Sequence, residues 1–127
     1  MDMKLEVVPV PVTDVQRARD FYVDRLGFTS DFDAEVSPGE RLVQVTPPGS
    51  ACSVFLGRGI TGMAPGSQRG LMMVVEDADA ARTELASRGV EDSEVDEQPW
   101  GRFVHLSDPD GNTWSLQQLP ERHSTTT

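Results

Sequence analysis

The sequence predicts an α+β fold made of two tandem modules, each with the element order βαβββ. The first observation is an internal repeat, in which residues 12–19 match residues 75–82 and residues 41–48 match residues 102–109. The second observation is that β-branched runs, typical of strands, surround two segments with apolar residues at helical spacing. The repeat covers about half of the 127 residues, whereas solenoid and propeller repeats run about 20–50 residues. We therefore interpret it as a duplicated half-domain.

The first strand of module 1 is predicted at residues 5–12, a β-branched run between polar residues. Pro9 and Pro11 fall on the same side of this strand, and proline has no backbone N–H to donate. We therefore expect the strand to lie at the edge of its sheet.

A helix is predicted to begin at Thr13, because Gln16 stands three residues later, the spacing of a reciprocal N-terminal cap. Gly27 is predicted to end it, since a left-handed residue commonly closes a helix. The apolar stripe of this helix comprises Val15, Ala18, Tyr22 and Leu26.

The remaining elements follow the same order in both halves. Module 1 continues with strands at residues 29–36, 41–46 and 51–56. Module 2 has a strand at 70–75, a helix at 77–88 and strands at 90–95, 102–107 and 112–118. We expect one domain, residues 1–127, with modules at 5–56 and 70–119, a glycine-rich linker at 57–69 and a polar tail at 120–127.

Composition limits the partners and the compartment. The net charge is −10, which argues against nucleic acid and anionic membranes, because both bind basic surfaces. Cys52 is the single cysteine, so no disulfide can form within the chain. The N-terminus does not look like a signal peptide, and no apolar run is long enough for a membrane span. We expect a soluble cytoplasmic protein.

Three motifs carry a family resemblance. They are the opening Pro11-Val12-Thr13-Asp14, the helix end with Phe21-Tyr22 and Leu26-Gly27-Phe28, and the turn Asp108-Pro109-Asp110-Gly111-Asn112. In this order the chain resembles the vicinal oxygen chelate superfamily, which includes glyoxalase I, extradiol dioxygenases, fosfomycin-resistance enzymes and bleomycin-binding resistance proteins. The resemblance implies a curved mixed sheet around a cleft, with the helices on its outer face. It also implies a homodimer, as in many members.

Enzymes of this superfamily hold a metal ion through four strand positions, usually His, Glu or Gln. Counting from the motifs places these positions at Val7, Ser53, Gly70 and Ser115. Val and Gly side chains have no donor atom, and a serine hydroxyl is a poor ligand for a transition metal. We therefore expect no metal and no cofactor.

The alternation of strand side chains assigns the residues that line the cleft. We expect a mainly apolar and aromatic lining with a few polar groups, which suits a small, partly aromatic organic ligand. The predicted ligand-binding residues are Leu42, Gln44, Ser53, Phe55, Met72, Trp100, Phe103, His105, Ser115 and Gln117. Among them, the repeat matches Gln44 with His105 and Leu42 with Phe103.

His105 is the candidate catalytic residue, because an imidazole can act as a general base near neutral pH. The sequence favours a metal-free binding protein similar to the drug-sequestering members of the family. Three alternatives stay open: a metal-free isomerase, cyclase or epimerase with His105 as base; a metal-dependent lyase or dioxygenase with displaced ligands; and a dimeric scaffold whose cleft is filled. The sequence also leaves open whether the modules pair within one chain or across a dimer.

Overall fold

The computed structural model describes residues 1–59 and 62–120; the predicted tail beyond Pro120, including His123, lies outside them. The chain forms two four-stranded mixed sheets with two peripheral helical segments, as predicted. None of the described helices is long and apolar enough to cross a membrane. The strands are β1 (Val7–Pro11), β2 (Thr29–Ser37), β3 (Glu40–Thr46), β4 (Ser53–Gly57), β5 (Leu71–Val74), β6 (Asp96–Gln98), β7 (Gly101–Ser107) and β8 (Thr113–Gln118). The helices are α1 (Val15–Arg19), which continues as a π-helix over Asp20–Arg25, and α2 (Ala78–Ser87).

Both sheets have the same topology, which confirms the duplication. Their strand orders are β1-β4-β3-β2 and β5-β8-β7-β6, with the first strand of each module parallel to its last. The predicted edge position of β1 is confirmed. The Pro9 carbonyl accepts from Gln68 Nε2 (2.9 Å), and the Pro11 carbonyl accepts from Asn112 Nδ2 (2.9 Å). These side chains occupy acceptors along the outer edge of β1, where the two prolines offer no donors.

The start of the first helix differs from the prediction. Asp14 rather than Thr13 is the N-cap, and its carboxylate accepts from the Arg17 N–H (3.0 Å). Thr13 instead donates its hydroxyl to Asp110 Oδ1 (2.7 Å), across to module 2. In the second helix the repeat mate Asp77 caps in the same way as Asp14. An aspartate at this position is a strong N-cap, so the threonine is free for another contact.

The prediction of a strand at residues 90–95 is wrong. The Val90 N–H still donates to the Leu85 carbonyl (2.9 Å), so the chain is completing the helix end there. Asp92 makes one isolated bridge to Leu106, and the strand proper is β6, at Asp96–Gln98. It pairs with β7 as an antiparallel hairpin whose turn contains Trp100.

One hydrophobic core joins the helix-facing sides of both sheets. The ring of Tyr22 on the first helix lies 5.8 Å, between centroids, from that of Trp114 on β8, and Phe28 lies 5.9 Å from Trp114. The predicted helix-facing residues that are buried in this core are Val10, Val12, Val43, Val45, Val54, Leu56, Val104, Leu106, Trp114 and Leu116. The core therefore extends across both modules.

The two helix ends meet through matching arginine contacts. Arg25 Nη1 lies 3.5 Å from the Arg88 carbonyl, and Arg88 Nη1 lies 3.4 Å from the Arg25 carbonyl; Arg25 Nη1 also donates to the Gly89 carbonyl (3.0 Å). Gly27 and Gly89 have φ of 80° and 75°, and a Cβ on either would lie 2.8 Å from the arginine of the other module. Each cation thus lies at the negative end of the opposite helix, where it is stabilising.

A buried polar network ties the β7–β8 turn to the first helix. The Tyr22 hydroxyl donates to Asp108 Oδ2 (2.7 Å) and accepts from Trp114 Nε1 (2.8 Å). Asn112 Nδ2 also donates to Asp108 Oδ2 (2.8 Å). Burial raises the pKa of Tyr22 well above 10.0, and the nearby charge of Asp108 raises it further.

We expect Tyr22→Phe to lower the free energy of unfolding by about 1–3 kcal/mol, because it leaves Asp108 and Trp114 short of a buried partner. In the wild type, the stability that depends on the neutral phenol is complete below 10.0, its ordinary pKa. This contribution is lost as pH rises from there toward the raised pKa of the folded state, because the unfolded chain ionises first. Urea unfolding at about pH 8 and about pH 11 measures both effects. Since Tyr22 is the sole tyrosine, tyrosinate absorbance reports its titration directly, and ionisation near 10.0 in the folded state would contradict the expectation.

Candidate functional site

The predicted cleft residues lie on the sheet faces opposite the shared core. Because both helix-facing sides meet in that core, the two remaining faces point away from it and from each other. Strands β1 and β5, which end the two sheets, do not pair with each other. Within residues 1–59 and 62–120 the chain therefore presents two separate outward faces, which we call the module 1 face and the module 2 face, and these two faces do not enclose a cleft between them.

The module 2 face carries a chain of three polar side chains across three strands. His105 Nδ1 lies 2.8 Å from the Ser115 hydroxyl, directly opposite on β8. On the other side, His105 Nε2 lies 3.1 Å from Asp96 Oδ2, on β6. The side chain of His105 is 46 % exposed. The hydrogen bond from His105, helped by one from Gln98, holds the pKa of Asp96 below 3.8.

Aromatic and apolar groups surround this polar chain. The Phe103 ring is buried and parallel to the His105 imidazole, with centroids 6.1 Å apart and an angle of 6°. Gln117 Nε2 donates to the Trp100 carbonyl (3.0 Å), which fixes the hairpin turn beside the face. The side chains of Trp100 and Met72 are 61 % and 62 % exposed. The face thus offers uncovered apolar area next to a fixed imidazole.

The module 1 face is more weakly polar. Gln44 and Phe55 are half-buried cross-strand neighbours, and Leu42 is half-buried two residues before Gln44 on β3. The buried Ser53 hydroxyl lies 2.6 Å from that of Thr46, which in turn bonds to Asp31. None of the described hydrogen bonds joins a predicted ligand-binding residue of this face to one of the module 2 face.

Hydrogen bonds at the ends of β4 and β8 show which positions of the two modules are equivalent. The Val12 N–H donates to the Gly57 carbonyl (3.1 Å), and the Val75 N–H donates to the Gln117 carbonyl (2.9 Å). Val12 and Val75 are repeat mates, so Gly57 and Gln117 occupy equivalent positions on β4 and β8.

Counting back two residues from these carbonyls matches Phe55 with Ser115. The assignment of Ser53 as the mate of Ser115 is therefore wrong by two residues, because it was counted through turns that differ in length. The matching of Gln44 with His105 is confirmed, since Gln44 lies opposite Phe55 and His105 lies opposite Ser115.

The four positions that would hold the family's metal thus become Val7, Phe55, Gly70 and Ser115. Three of them have no side-chain donor atom, and the hydroxyl of Ser115 already lies within hydrogen-bonding distance of His105. Among residues 1–59 and 62–120, no group of three or more His, Cys, Asp or Glu side chains could hold a metal ion. The side chains at this place do not fit a divalent metal.

Asp96 is the residue of this site that sequence reasoning missed. The strand prediction at residues 90–95 ended one residue before it and left it outside the sheet. The signal was present in Pro99, Trp100 and Gly101, a turn that could have been used to set the hairpin register. That register puts Asp96 opposite Phe103, on the same face as His105.

A hollow of about 770 Å³ lies on the core side of β5, and of the predicted ligand-binding residues only Met72 lines it. It runs between α2, β5 and residues 25–28 and 47–50. Its apolar wall includes the helix-facing side chains Met73, Leu85, Leu106 and Leu116. It lies against the shared core and does not contain the polar chain around His105.

The comparisons with known proteins agree with this architecture. The Glyoxalase/Bleomycin resistance protein/Dioxygenase superfamily model matches residues 4–116. The chain therefore belongs to this superfamily. It is similar to TnmS3, an antibiotic binding protein from Streptomyces sp. CB03234, with 38% identity, a TM-score of 0.86 and coverage of 94% of this chain and 98% of the other. A glyoxalase/bleomycin resistance protein from the same organism is 40% identical with a TM-score of 0.80, over 91% of this chain and all of the other. The uncharacterized protein YetH of Bacillus subtilis (strain 168) is 28% identical over 93% of this chain and 100% of its own length.

We expect His105→Gln to raise the pKa of Asp96 back toward 3.8, because it removes the largest cause of the lowered value. In the wild type, the stability from this contact is present above pH 3.8 and is lost as pH falls through the lowered pKa of the folded state. Carboxyl carbon shifts from NMR titration measure the pKa. The matched control is Gln44→Ala at the equivalent position of module 1, which should leave Asp96 unchanged. An Asp96 titration that is identical in wild type and His105→Gln would refute the contact.

Proposed function

We propose that the protein binds a small, partly aromatic organic molecule, without a metal, in a cleft that two copies of the chain complete. The observation that carries the proposal is the module 2 face, where exposed Met72 lies opposite Ser115, the neighbour of a fixed imidazole, and exposed Trp100 lies in the hairpin turn of the same sheet. Apolar walls with a few oriented polar groups are typical of small-molecule sites. The likeness to TnmS3, which its description calls an antibiotic binding protein, supports an antibiotic-like ligand.

The donor set supports binding without a metal. With Val7, Phe55 and Gly70 at three of the four family positions, no Lewis acid can be held there in the family's manner. Ligand affinity must then come from apolar contact and hydrogen bonds. We further propose that the protein works in the cytoplasm, with which its single cysteine is consistent.

The orientation of the two faces supports a second copy of the chain. One chain leaves the module 1 face and the module 2 face pointing apart, so a two-walled cleft needs a face from each of two chains. The outer edge of β5 supports this arrangement, because Met72 and Val74 there are 62 % and 64 % exposed. We propose that β5 of one chain lies against the edge of the partner's module 1 face. The resulting homodimer is symmetric and has two equivalent clefts.

A second candidate function is metal-free proton transfer, as in an isomerase, cyclase or epimerase with His105 as base. The hydrogen bond between Asp96 and His105 favours it, because a carboxylate partner fixes the tautomer and the orientation of an imidazole. Turnover of a bound ligand would distinguish this function from binding alone.

We expect calorimetric titration with a panel of aromatic antibiotics to find ligands whose binding survives dialysis against a chelator. Trp100→Ala should weaken binding by about 10–100-fold, since a large exposed ring is lost from the cleft wall. Met3→Ala, at a similarly exposed residue outside both faces, is the control and should bind as the wild type does. Equal affinity of Trp100→Ala and wild type, or binding that disappears with the chelator, would contradict the proposal.

We expect sedimentation equilibrium at micromolar concentration to show a dimer. Met72→Glu should shift the protein toward monomer, because it places a charge on the apolar edge of a chain with net charge −10. Met3→Glu makes the same chemical change elsewhere and should remain dimeric. A monomeric wild type that still binds ligand would show that one face suffices.

A further inference from the structure

The side chains of Asp96, His105 and Ser115 form an ordered carboxylate–imidazole–hydroxyl array. The two contacts are 3.1 Å for Asp96 Oδ2 to His105 Nε2 and 2.8 Å for His105 Nδ1 to Ser115 Oγ. We propose that this array makes Ser115 a nucleophile, and that the protein accepts short acyl groups from aryl esters. This activity goes beyond the binding function proposed above.

The order of the three groups is the one that activates a serine. A nucleophile must lie within hydrogen-bond reach of a base, and a third group must orient the base. With Asp96 accepting from Nε2–H, the Nδ1 lone pair is left to accept the proton of the Ser115 hydroxyl. The two ring nitrogens exchange the roles they have in known Ser-His-Asp hydrolases, and either nitrogen is chemically able to take either role.

The imidazole is also held in place on its other sides. Phe103 stacks parallel to it at 6.1 Å. Two hydrogen bonds also fix the backbone of His105. Its backbone N–H donates to Ser93 Oγ (2.9 Å), and the backbone N–H of Ser93 donates to the His105 carbonyl (2.9 Å). A base fixed before the substrate arrives loses little entropy in the reaction.

The duplication supplies an internal comparison. The equivalent positions in module 1 are Gln44 and Phe55, which have neither a base nor a nucleophile. The equivalent strands of module 1, β2, β3 and β4, thus form their sheet without such an array. The array in module 2 is therefore an addition to the repeated frame.

The residue exposures indicate the class of ester. Ser115 is 8 % exposed, whereas the imidazole side chain above it is 46 % exposed. A small acyl group such as acetyl can reach the recessed hydroxyl, while the aromatic leaving group remains on the apolar face near Met72, which lies opposite Ser115.

The step conserves atoms and charge. Ser115 Oγ attacks the ester carbonyl as its proton passes to His105 Nδ1, and the tetrahedral species then expels the aryl oxygen. The aryl oxygen takes the proton from Nδ1 as it leaves, or it leaves as a phenolate and Nδ1 gives its proton to water. In either case His105 is neutral again, the acyl group is bonded to Ser115 and the bond to the aryl oxygen is broken. Water then attacks the acyl-serine through the same base, which releases the acid and restores the hydroxyl.

The test uses the intact protein with 4-nitrophenyl acetate, followed by peptide mapping of the acetylated residue. We expect a burst of 4-nitrophenolate and one acetyl group on Ser115. His105→Gln should slow acetylation by about 10²–10⁴-fold. Asp96→Asn should slow it and change its pH profile, because the imidazole tautomer is no longer fixed by a carboxylate. Ser87→Ala, which removes an exposed hydroxyl at the end of α2 outside both faces, is the control and should react as the wild type does.

Each outcome decides the proposal. Acetyl on Ser115 that depends on His105 and Asp96 supports it. Acetyl found on another residue, or a burst unchanged in Ser115→Ala, overturns it. If Ser115→Ala unfolds, labelling of wild-type Ser115 by a fluorophosphonate, compared with His105→Gln, decides instead. Neither result depends on the antibiotic titration, in which Ser115 is intact, so failure here leaves the binding function standing.

Discussion

The buried carboxylate of Asp108 is the constraint on which the arrangement of the two modules depends. A charge taken out of water must be surrounded by donors, and here the donors come from different parts of the chain. The Tyr22 hydroxyl donates from module 1, while the Asn112 side chain donates both to Asp108 and to the Pro11 carbonyl of β1. The linker is included as well, because the Gln68 N–H donates to Asn112 Oδ1 (3.0 Å). This network fixes how the helix-facing side of each sheet meets the other.

That arrangement determines the kind of site the protein can have. When the helix-facing sides are joined in one core, the opposite faces are directed outward and each keeps exposed apolar groups. Met72 and Trp100 are the clearest examples, with more than half of each side chain open to solvent. A ligand bound on one face would be covered on one side only, whereas the face of a second chain would cover the other side. The oligomeric state and the affinity are therefore expected to be linked, since ligand that bridges two chains stabilises their association.

The βαβββ order, the edge position of β1 and most of the core could be predicted from the sequence. These features depend on the alternation of side chains along each strand and on the internal repeat, and both can be read from the sequence itself. Errors arose where a long-range partner decides the outcome. Thr13 has the spacing of an N-cap in the sequence, but its hydroxyl donates to Asp110 of the other module. Asp96 belongs to an acidic stretch of the sequence, residues 91–97, and nothing local distinguishes it from its neighbours. The hairpin register places it beside His105. The two-residue error at Ser53 came from unequal turns, whose lengths no periodicity reveals. His105 could be proposed as a site residue from the sequence, whereas its contacts with Asp96 and Ser115 depend on pairing between strands.

The reciprocal contacts of Arg25 and Arg88 have a consequence for the origin of the chain. Each arginine reaches the helix end of the other module, and each meets a glycine at a matching position. Such an exchange of identical contacts is what defines an isologous interface between two copies of one subunit. The interface inside this chain thus has the form of a homodimer interface. It is the pattern expected if an ancestral half-length protein associated with itself and a gene fusion later joined the two copies. The histidine, the serine and the aspartate of the array are found in one of the two halves only.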